Sequence, residues 1–183
     1  MQTPSHLVIA AAVAKAIPAV PMNSAFIIGS VAPDLALYAL SLIGGLYYTQ
    51  VKKISAREAA DLMFGQLFFK NKAWIAVHNS LHSPLLLVLL IIPLAFVMSS
   101  SAVAAWFFWF LLSFLLHTAV DIPTHHNDGP LLFFPFNWTI RFQSPISYWD
   151  ARRGARSFMA FEISVVILLL YYLFSTPILN LFR

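Results

Sequence analysis

Histidine and acidic residues recur at helical spacing along this apolar chain, and two such pairs have the residue types that bind a divalent metal. His78 and His82 form one i, i+4 pair, and His117 and Asp121 form the other. Side chains four residues apart on a helix share one face, with Cβ atoms roughly 5–6 Å apart. Imidazole and carboxylate groups suit Zn²⁺, Mn²⁺ or Fe²⁺. The two pairs therefore predict a metal site with these four residues as ligands.

Two further residues are candidates for the same site. Asp34 follows Pro33 inside an apolar run, and His6 precedes the first apolar run. A carboxylate buried in a membrane without a partner is costly, so we expect Asp34 to ligate the metal or to act as a general base. A protonated Asp34, or one bonded to backbone amides, is the alternative. His6 is expected to be a ligand, with an incidental histidine beside a helix start as the alternative.

A short polar segment follows the His117–Asp121 pair directly. His125, His126 and Asp128 lie between Pro123 and Pro130, which constrain the backbone of this segment to a loop. A rigid loop after a ligand-bearing helix is where a general acid or a substrate contact would lie, although an exposed polar loop has the same composition. We expect one of the two histidines to be catalytic, and the sequence does not say which.

The composition indicates an integral membrane protein. The 183 residues are 60% hydrophobic and 10% charged, with 17 Phe and a net charge of +4; the mean hydropathy is +0.79. These values lie outside those of soluble domains. The basic residues form no stripe with interleaved aromatics, so no nucleic-acid partner is expected. The absence of cysteine excludes disulfides, thiolate ligands and a cysteine nucleophile.

The hydropathy pattern predicts an all-α fold, an integral membrane helical bundle over residues 1–183 as one domain. It has about four to five transmembrane or re-entrant helices and one interfacial amphipathic helix within 48–77. Residues 122–157 are expected to be irregular. The apolar runs predicted to be helical are 7–21, 24–47, 78–98, 102–120 and 158–174.

The charged loops predict which ends of the helices meet. Segment 48–77 carries five Lys or Arg and segment 122–157 carries four, whereas the turn at 99–101 carries none. The positive-inside rule places both basic segments on the cytoplasmic side of a bacterial inner membrane. Both pairs of candidate ligands then lie at the same depth, with Asp34 below them in the middle of its span.

Three arginines and one acid remain outside these clusters. Arg152, Arg153 and Arg156 are expected to follow the positive-inside rule and to contact lipid phosphates, with a substrate-phosphate role as the weaker interpretation. Glu162, alone in the last apolar run, is expected to snorkel or to pair with Arg156.

The order of these motifs resembles the bacterial membrane-bound metal-dependent hydrolases, a DUF457-type group that includes the YdjM-like inner-membrane proteins. The resemblance covers roughly residues 1–140. It implies a helical membrane protein with a divalent-metal site and a distant likeness to zinc-dependent phospholipase C. The matching residues are His6, Pro33-Asp34, His78, His82-Ser83, His117, Asp121, Gly129-Pro130-Leu131-Leu132 and Pro135.

The chain departs from the family pattern after Pro33-Asp34. The family commonly has a second acid and a histidine there, whereas this chain has Ala36 and Tyr38. Either the site holds fewer metals, or residues of the 125–128 segment replace the missing ligands. Loss of hydrolysis with retention of binding is the third possibility.

The leading hypothesis is metal-assisted hydrolysis of an ester, a phosphoester of a lipid or lipid-linked substrate, with zinc favoured over manganese or iron. The expected partners are membrane lipids and an amphiphilic substrate. A metal or proton carrier is the main alternative, but the runs 85–98 and 158–174 offer only Glu162 as a polar path. Haem binding fits less well because the histidines are paired with carboxylates. A catalytically degenerate metal-binding or scaffolding protein is the remaining alternative.

Overall fold

A computed structural model describes residues 1–181 of the chain, with side chains described as far as residue 175. The predicted all-α class is confirmed, since this part of the chain contains no strand and only a local antiparallel bridge between Leu131 and Arg141. π-Helical turns lie at Tyr47–Val51 and Met63–Leu67, and 3-10 turns lie at Ile122–Thr124 and Ala151–Arg153. The α-helices are α1 (Thr3–Ala16), α2 (Ser24–Gly29), α3 (Ala32–Leu46), α4 (Ala56–Leu62), α5 (Phe68–Lys70), α6 (Lys72–His82), α7 (Pro84–Val97), α8 (Ala102–Asp121) and α9 (Ala155–Leu181).

Two helices among the described residues are long and apolar enough to cross a bilayer, Ala102–Thr124 and Ala155–Ser175. A third span results if α6 and α7, bent by 44° relative to each other, are taken as one broken span. The predicted count of four to five transmembrane or re-entrant helices is therefore not confirmed. Helix α1 has 14 residues and α3 has 15, about 21–22 Å at 1.5 Å per residue, which is short of a hydrocarbon core of about 30 Å.

The bend between α6 and α7 has a local cause in the sequence. The predicted run 78–98 is interrupted at Ser83, whose hydroxyl accepts a hydrogen bond from the amide of Leu86 at 3.4 Å. Pro84 occupies the first position of α7, where a backbone N–H would have no hydrogen-bond partner within the helix. His78 and His82 consequently lie in the last turns of α6 instead of opening a continuous span.

The predicted span 24–47 is also broken. Helix α2 ends at Gly29 and α3 begins at Ala32, because Pro33 has no N–H to continue the hydrogen-bond ladder to the carbonyl of Gly29. The expected position of Asp34 in the middle of a span was wrong. Asp34 lies in the first turn of α3, beside the break.

Segment 48–77 folds largely into short helices and π-helical turns with one buried face. Met63 and Phe68 are buried, Ile54 and Leu67 are half-buried, and the charged residues of the segment are exposed. This is the pattern expected of an amphipathic segment. Residues 122–154 are irregular apart from short 3-10 turns, as predicted.

Helix α8 packs against α7 on one side and α2 on the other. Phe114 of α8 lies in one apolar cluster with Leu87 and Ile91 of α7. Phe26 of α2 lies in a second cluster, with Ala10 of α1. Burial of these side chains holds the C-terminal end of α8 between its neighbours, and that end carries the His117–Asp121 pair.

The close contact between α2 and α8 depends on Gly29. A β-carbon there would clash with the carbonyl oxygen of Phe110 and lie 3.0 Å from Cβ of Ser113. We predict that Gly29→Ala destabilises the protein by about 1–3 kcal/mol, since backbone must move to relieve the overlap. Thermal unfolding in detergent measures the effect.

Gly65→Ala is the matched control, because a β-carbon at Gly65 meets nothing within 4 Å. We expect that change to be neutral or stabilising by up to about 1 kcal/mol, from the higher helix propensity of alanine. Equal midpoints for the two variants would contradict the described packing of α2 on α8.

Candidate metal centre

Four of the predicted ligands come together at one point. Asp34 comes from α3, His82 from α6, and His117 and Asp121 from α8. Each offers one ligand atom, and these four atoms all lie within 4.8 Å of one another. The two histidines and Asp121 are buried, and Asp34 is the least buried of the four. Motifs separated by up to 87 residues in sequence (Asp34 and Asp121) therefore converge, and Asp34 lies level with the two pairs instead of below them.

The separations within the cluster match those between the ligands of one ion. His117 Nε2 lies 3.1 Å from Asp121 Oδ2 and 3.5 Å from Asp34 Oδ1. His82 Nε2 lies 3.7 Å from the same Asp34 oxygen. Tetrahedral zinc with bonds of about 2.0–2.1 Å has ligand atoms about 3.3–3.4 Å apart. The cluster thus has the dimensions of a metal site with only small adjustments.

Backbone hydrogen bonds determine which ring nitrogen of each histidine faces the cluster. His117 Nδ1 lies 2.7 Å from the carbonyl oxygen of Ser30, and His82 Nδ1 lies 3.0 Å from that of His78. A carbonyl oxygen can only accept, so both Nδ1 atoms carry the proton. In the neutral rings, each Nε2 then presents a lone pair to the cluster. This arrangement is the one that metal-ligating histidines adopt.

The electrostatics of the cluster favour positive charge, from a proton or a metal ion, between these groups. His117 Nε2 is buried and has no hydrogen-bond partner among the described residues, yet two carboxylate oxygens face it. A lone pair directed at an anionic oxygen is repulsive unless a proton or a metal ion lies between them. Two imidazoles and two carboxylates offer hard and borderline donors with no thiolate, a set suited to a divalent ion such as Zn²⁺. The residues present therefore fit a bound divalent metal.

His6 and His78, also predicted as ligands, lie against the cluster. The ring of His6 stacks on His117 with centroids 3.6 Å apart, and its buried Nε2 is 3.1 Å from Asp121 Oδ1. The ring of His78 stacks on His82 at 4.1 Å, and its Nδ1 is buried without a hydrogen-bond partner. His6 thus adjoins the second oxygen of Asp121, whereas His78 supports His82 through its ring and its carbonyl group.

A comparison with known families identifies the group to which the chain belongs. The family model described as YdjM inner membrane protein matches residues 1–180 of the chain. The chain belongs to the YdjM family. The resemblance seen in the sequence motifs is confirmed, and the match together with the apolar helices identifies a membrane protein. No curated protein and no solved structure matches the chain.

A polar cavity of about 160 Å³ opens beside the four clustered residues. Asp34, His82 and Asp121 reach its wall, together with His78 and His125. The cavity gives a small molecule access to the least buried ligand, Asp34, whose side chain is 19% exposed. The cluster is therefore open on one side, which a catalytic site requires and a closed structural site does not.

Ala36 and Tyr38, where the resemblance implied further ligands, have other surroundings in the structure. Ala36 is buried, and Tyr38 lines the cavity with its hydroxyl 2.8 Å from Thr3 Oγ1. Thr3 donates its proton to Asp34 Oδ2, so the Tyr38 hydroxyl donates to Thr3. This chain of hydrogen bonds holds one oxygen of Asp34 and leaves the other facing the histidines. Thr3 was not predicted as a site residue, although its i, i+3 spacing from His6 places both residues on one face of α1.

The structure distinguishes the two loop histidines. His125 lines the cavity, and its Nδ1 donates to the carbonyl oxygen of Asp121 at 2.9 Å. Burial lowers the pKa of His125 below 6.5, against the opposing effect of the Asp121 carboxylate. Its neutral Nε2 is then a proton acceptor, 3.9 Å from Asp128 Oδ2. His126 donates to the carbonyl oxygen of Ser144 at 2.6 Å and is not part of the cavity wall.

Two more residues, one from the loop and one from the start of the chain, line the cavity, and neither was predicted. Tyr148 packs its ring against His125, with centroids 4.7 Å apart. Burial, reinforced by the charge of Asp128, raises the pKa of the Tyr148 phenol, so this hydroxyl stays protonated. The α-amino group of Met1 also reaches the site, 2.9 Å from Asp121 Oδ1. No periodic pattern in the sequence marks either residue.

The remaining predicted residues lie away from the cavity. Arg152, Arg153 and Arg156 are exposed and do not line it. Glu162 is buried and accepts a hydrogen bond from the backbone amide of Gln2 at 2.8 Å, so the expected pairing with Arg156 is wrong. An amide at the start of α1 has no partner within the helix, and Glu162 supplies one.

The cluster predicts measurable metal binding. Purified wild-type protein, prepared without chelators, should contain stoichiometric zinc, manganese or iron by elemental analysis. His117→Ala and Asp121→Ala should each lose that metal, since each removes a donor and leaves the buried partner groups unbalanced. His126→Ala is the control and should retain it, because this ring lies outside the cavity wall. Metal retained in both cluster variants would contradict the site.

Proposed function

We propose that the protein is a multi-pass protein of the bacterial inner membrane and a metal-dependent hydrolase. Its substrate is an ester, in particular a phosphoester of a lipid or lipid-linked compound. The observation that carries this proposal is the cluster of Asp34, His82, His117 and Asp121, open on one side to a polar cavity. A structural site would bind its metal without a cavity, and a carrier would need a polar path through the apolar helices.

The proposed roles follow from the geometry of the cluster. Asp34, His82, His117 and Asp121 hold the metal, with zinc favoured and manganese or iron as the alternatives. His6 is a further donor beside Asp121, and His78 positions His82. A divalent ion held there supplies Lewis acidity, which lowers the pKa of water and stabilises negative charge on phosphoryl oxygens.

His125 is the residue proposed to move the protons. Its neutral Nε2 takes a proton from water as the water oxygen bonds to phosphorus. The bond from phosphorus to the leaving oxygen breaks, and the resulting imidazolium returns the proton to that oxygen. Asp128, 3.9 Å away, stabilises the imidazolium while it carries the charge. The proton taken from water therefore ends on the leaving oxygen, which also keeps the electron pair of the broken bond, so no other acid is needed.

The position of the site within the helices supports an amphiphilic substrate. Asp121 is the last residue of α8, near the end of the candidate span Ala102–Thr124, and His82 lies at the break between α6 and α7. Headgroups of lipids lie at the same depth, next to the hydrocarbon core. A lipid phosphoester would reach the cavity without leaving the membrane, whereas a transmembrane path would serve no purpose in hydrolysis.

His125→Gln tests the proposed proton transfer. We expect kcat for phosphoester hydrolysis to fall about 10²- to 10⁴-fold while bound metal is retained, since general acid–base catalysis contributes that much. Phosphate or headgroup release from phosphatidic acid and from phospholipid diesters in detergent provides the measurement. His126→Gln is the matched control, with an imidazole lost from the same loop but not from the cavity.

The outcome separates hydrolysis from the alternatives. An Asp121→Ala variant that retained both the bound metal and every hydrolytic activity would refute the mechanism. A wild-type protein that binds metal stoichiometrically but hydrolyses no ester would instead be a binding protein with a degenerate site. Metal flux into proteoliposomes containing the protein would favour the carrier.

A further inference from the structure

An apolar groove of about 290 Å³ adjoins the polar cavity. Leu37, Phe68, Asp128 and Tyr148 line both spaces, so the groove and the cavity share a wall. Asp128 supplies the polar part of that shared wall and the other three side chains supply a largely apolar part. A molecule with one polar and one apolar end could therefore occupy both spaces at once.

The rest of the groove is built from aromatic side chains. Phe64, Phe69 and Trp149 line it and do not line the polar cavity. They are 45%, 38% and 59% exposed, respectively, so their rings are open to a ligand. The π-helical turn Met63–Leu67 has backbone hydrogen bonds between residues i and i+5. Phe64 and Phe69 are five residues apart, and both line the same groove.

Trp149 is held at the junction of the two spaces. Its indole Nε1 donates to Asp128 Oδ2 at 2.7 Å, so the polar edge of the ring is satisfied by the wall of the cavity. The ring itself lines the groove. An indole with its N–H bonded at a polar boundary and its ring against apolar space is typical of an interface between headgroup and hydrocarbon.

We propose that this groove binds the hydrocarbon chain of the substrate whose phosphoryl group occupies the polar cavity. Phe64, Phe69 and Trp149 are then specificity-determining residues that select for an alkyl or acyl chain. The inference rests on the proposed function, and it adds that the protein itself, and not only the surrounding membrane, recognises the chain. Continuity with the metal centre supports this occupant, since a hydrocarbon attached to a phosphoester in the cavity has this groove beside it.

Chain-length dependence of hydrolysis tests the proposal. The substrates are p-nitrophenyl phosphodiesters whose second ester group is methyl, butyl, octyl or dodecyl, with the full-length, zinc-loaded protein in detergent. For the wild type, kcat/KM should rise up to about fourfold per added methylene until the groove is filled, as expected from burial of apolar surface. Phe64→Ala combined with Phe69→Ala should lower the dodecyl-to-methyl ratio at least about tenfold.

Phe96→Ala is the matched control, because Phe96 is an 82% exposed aromatic residue on α7, outside the groove. Partition of each substrate into detergent is the same for all variants, so differences in the ratio come from the protein. A double variant with the same ratio as Phe96→Ala would overturn the groove proposal while leaving the hydrolase proposal intact. Failure to hydrolyse even the methyl ester would count against the hydrolase proposal instead.

A binding measurement tests the groove even if the protein does not hydrolyse the methyl ester. Dodecylphosphonate with bromine on its terminal carbons should quench tryptophan fluorescence of the wild-type protein saturably. Trp149→Phe should remove the quenched component, and butylphosphonate should compete poorly. Quenching that is unchanged in Trp149→Phe would overturn the proposal, whether or not the protein hydrolyses any ester.

Discussion

The hydrogen bond from His117 Nδ1 to the carbonyl oxygen of Ser30, 2.7 Å long, connects the fold to the metal centre. That carbonyl is available because Ser30 lies between the end of α2 at Gly29 and the start of α3 at Ala32. The bond places the proton on Nδ1 and directs the Nε2 lone pair at Asp34 and Asp121. In a continuous helix, the amide of Asp34 would have used this carbonyl oxygen as its partner.

The same constraint explains why so many ionisable groups are tolerated in so apolar a protein. His6, His82, His117 and Asp121 are each 5% exposed or less. Isolated charges at such positions would be costly, whereas clustered imidazoles and carboxylates compensate each other and would do so further around a bound cation. The site is therefore both the main polar feature of the described core and a reason for the helices to meet where they do.

The loop after α8 is held to the helices by buried polar contacts, which gives His125 a defined position. Asn79 accepts a hydrogen bond from the amide of Leu131 at 2.7 Å, and the hydroxyl of Ser83 donates to the carbonyl oxygen of Phe134 at 2.8 Å. Asn79 follows His78 directly, and Ser83 follows His82. The irregular segment is therefore attached to the same helix end that carries His82.

The sequence by itself determined the all-α class, the membrane location and most of the candidate site. Those features depend on composition and on i, i+4 spacing, which are local properties that a chain carries before it folds. The positive-inside argument also predicted one depth for the two pairs, and in the structure the rings of His82 and His117 lie 5.4 Å apart.

Only the tertiary structure decided the rest. The hydrogen bonds of His125 to the carbonyl oxygen of Asp121 and of His126 to that of Ser144 bring only His125 to the cavity wall. The roles of Thr3 and Tyr148 in the cavity wall, and of Glu162 at the start of α1, depend on contacts between residues far apart in the chain. Hydrogen-bond partners of this kind are set by packing, so no spacing or composition in the sequence reveals them.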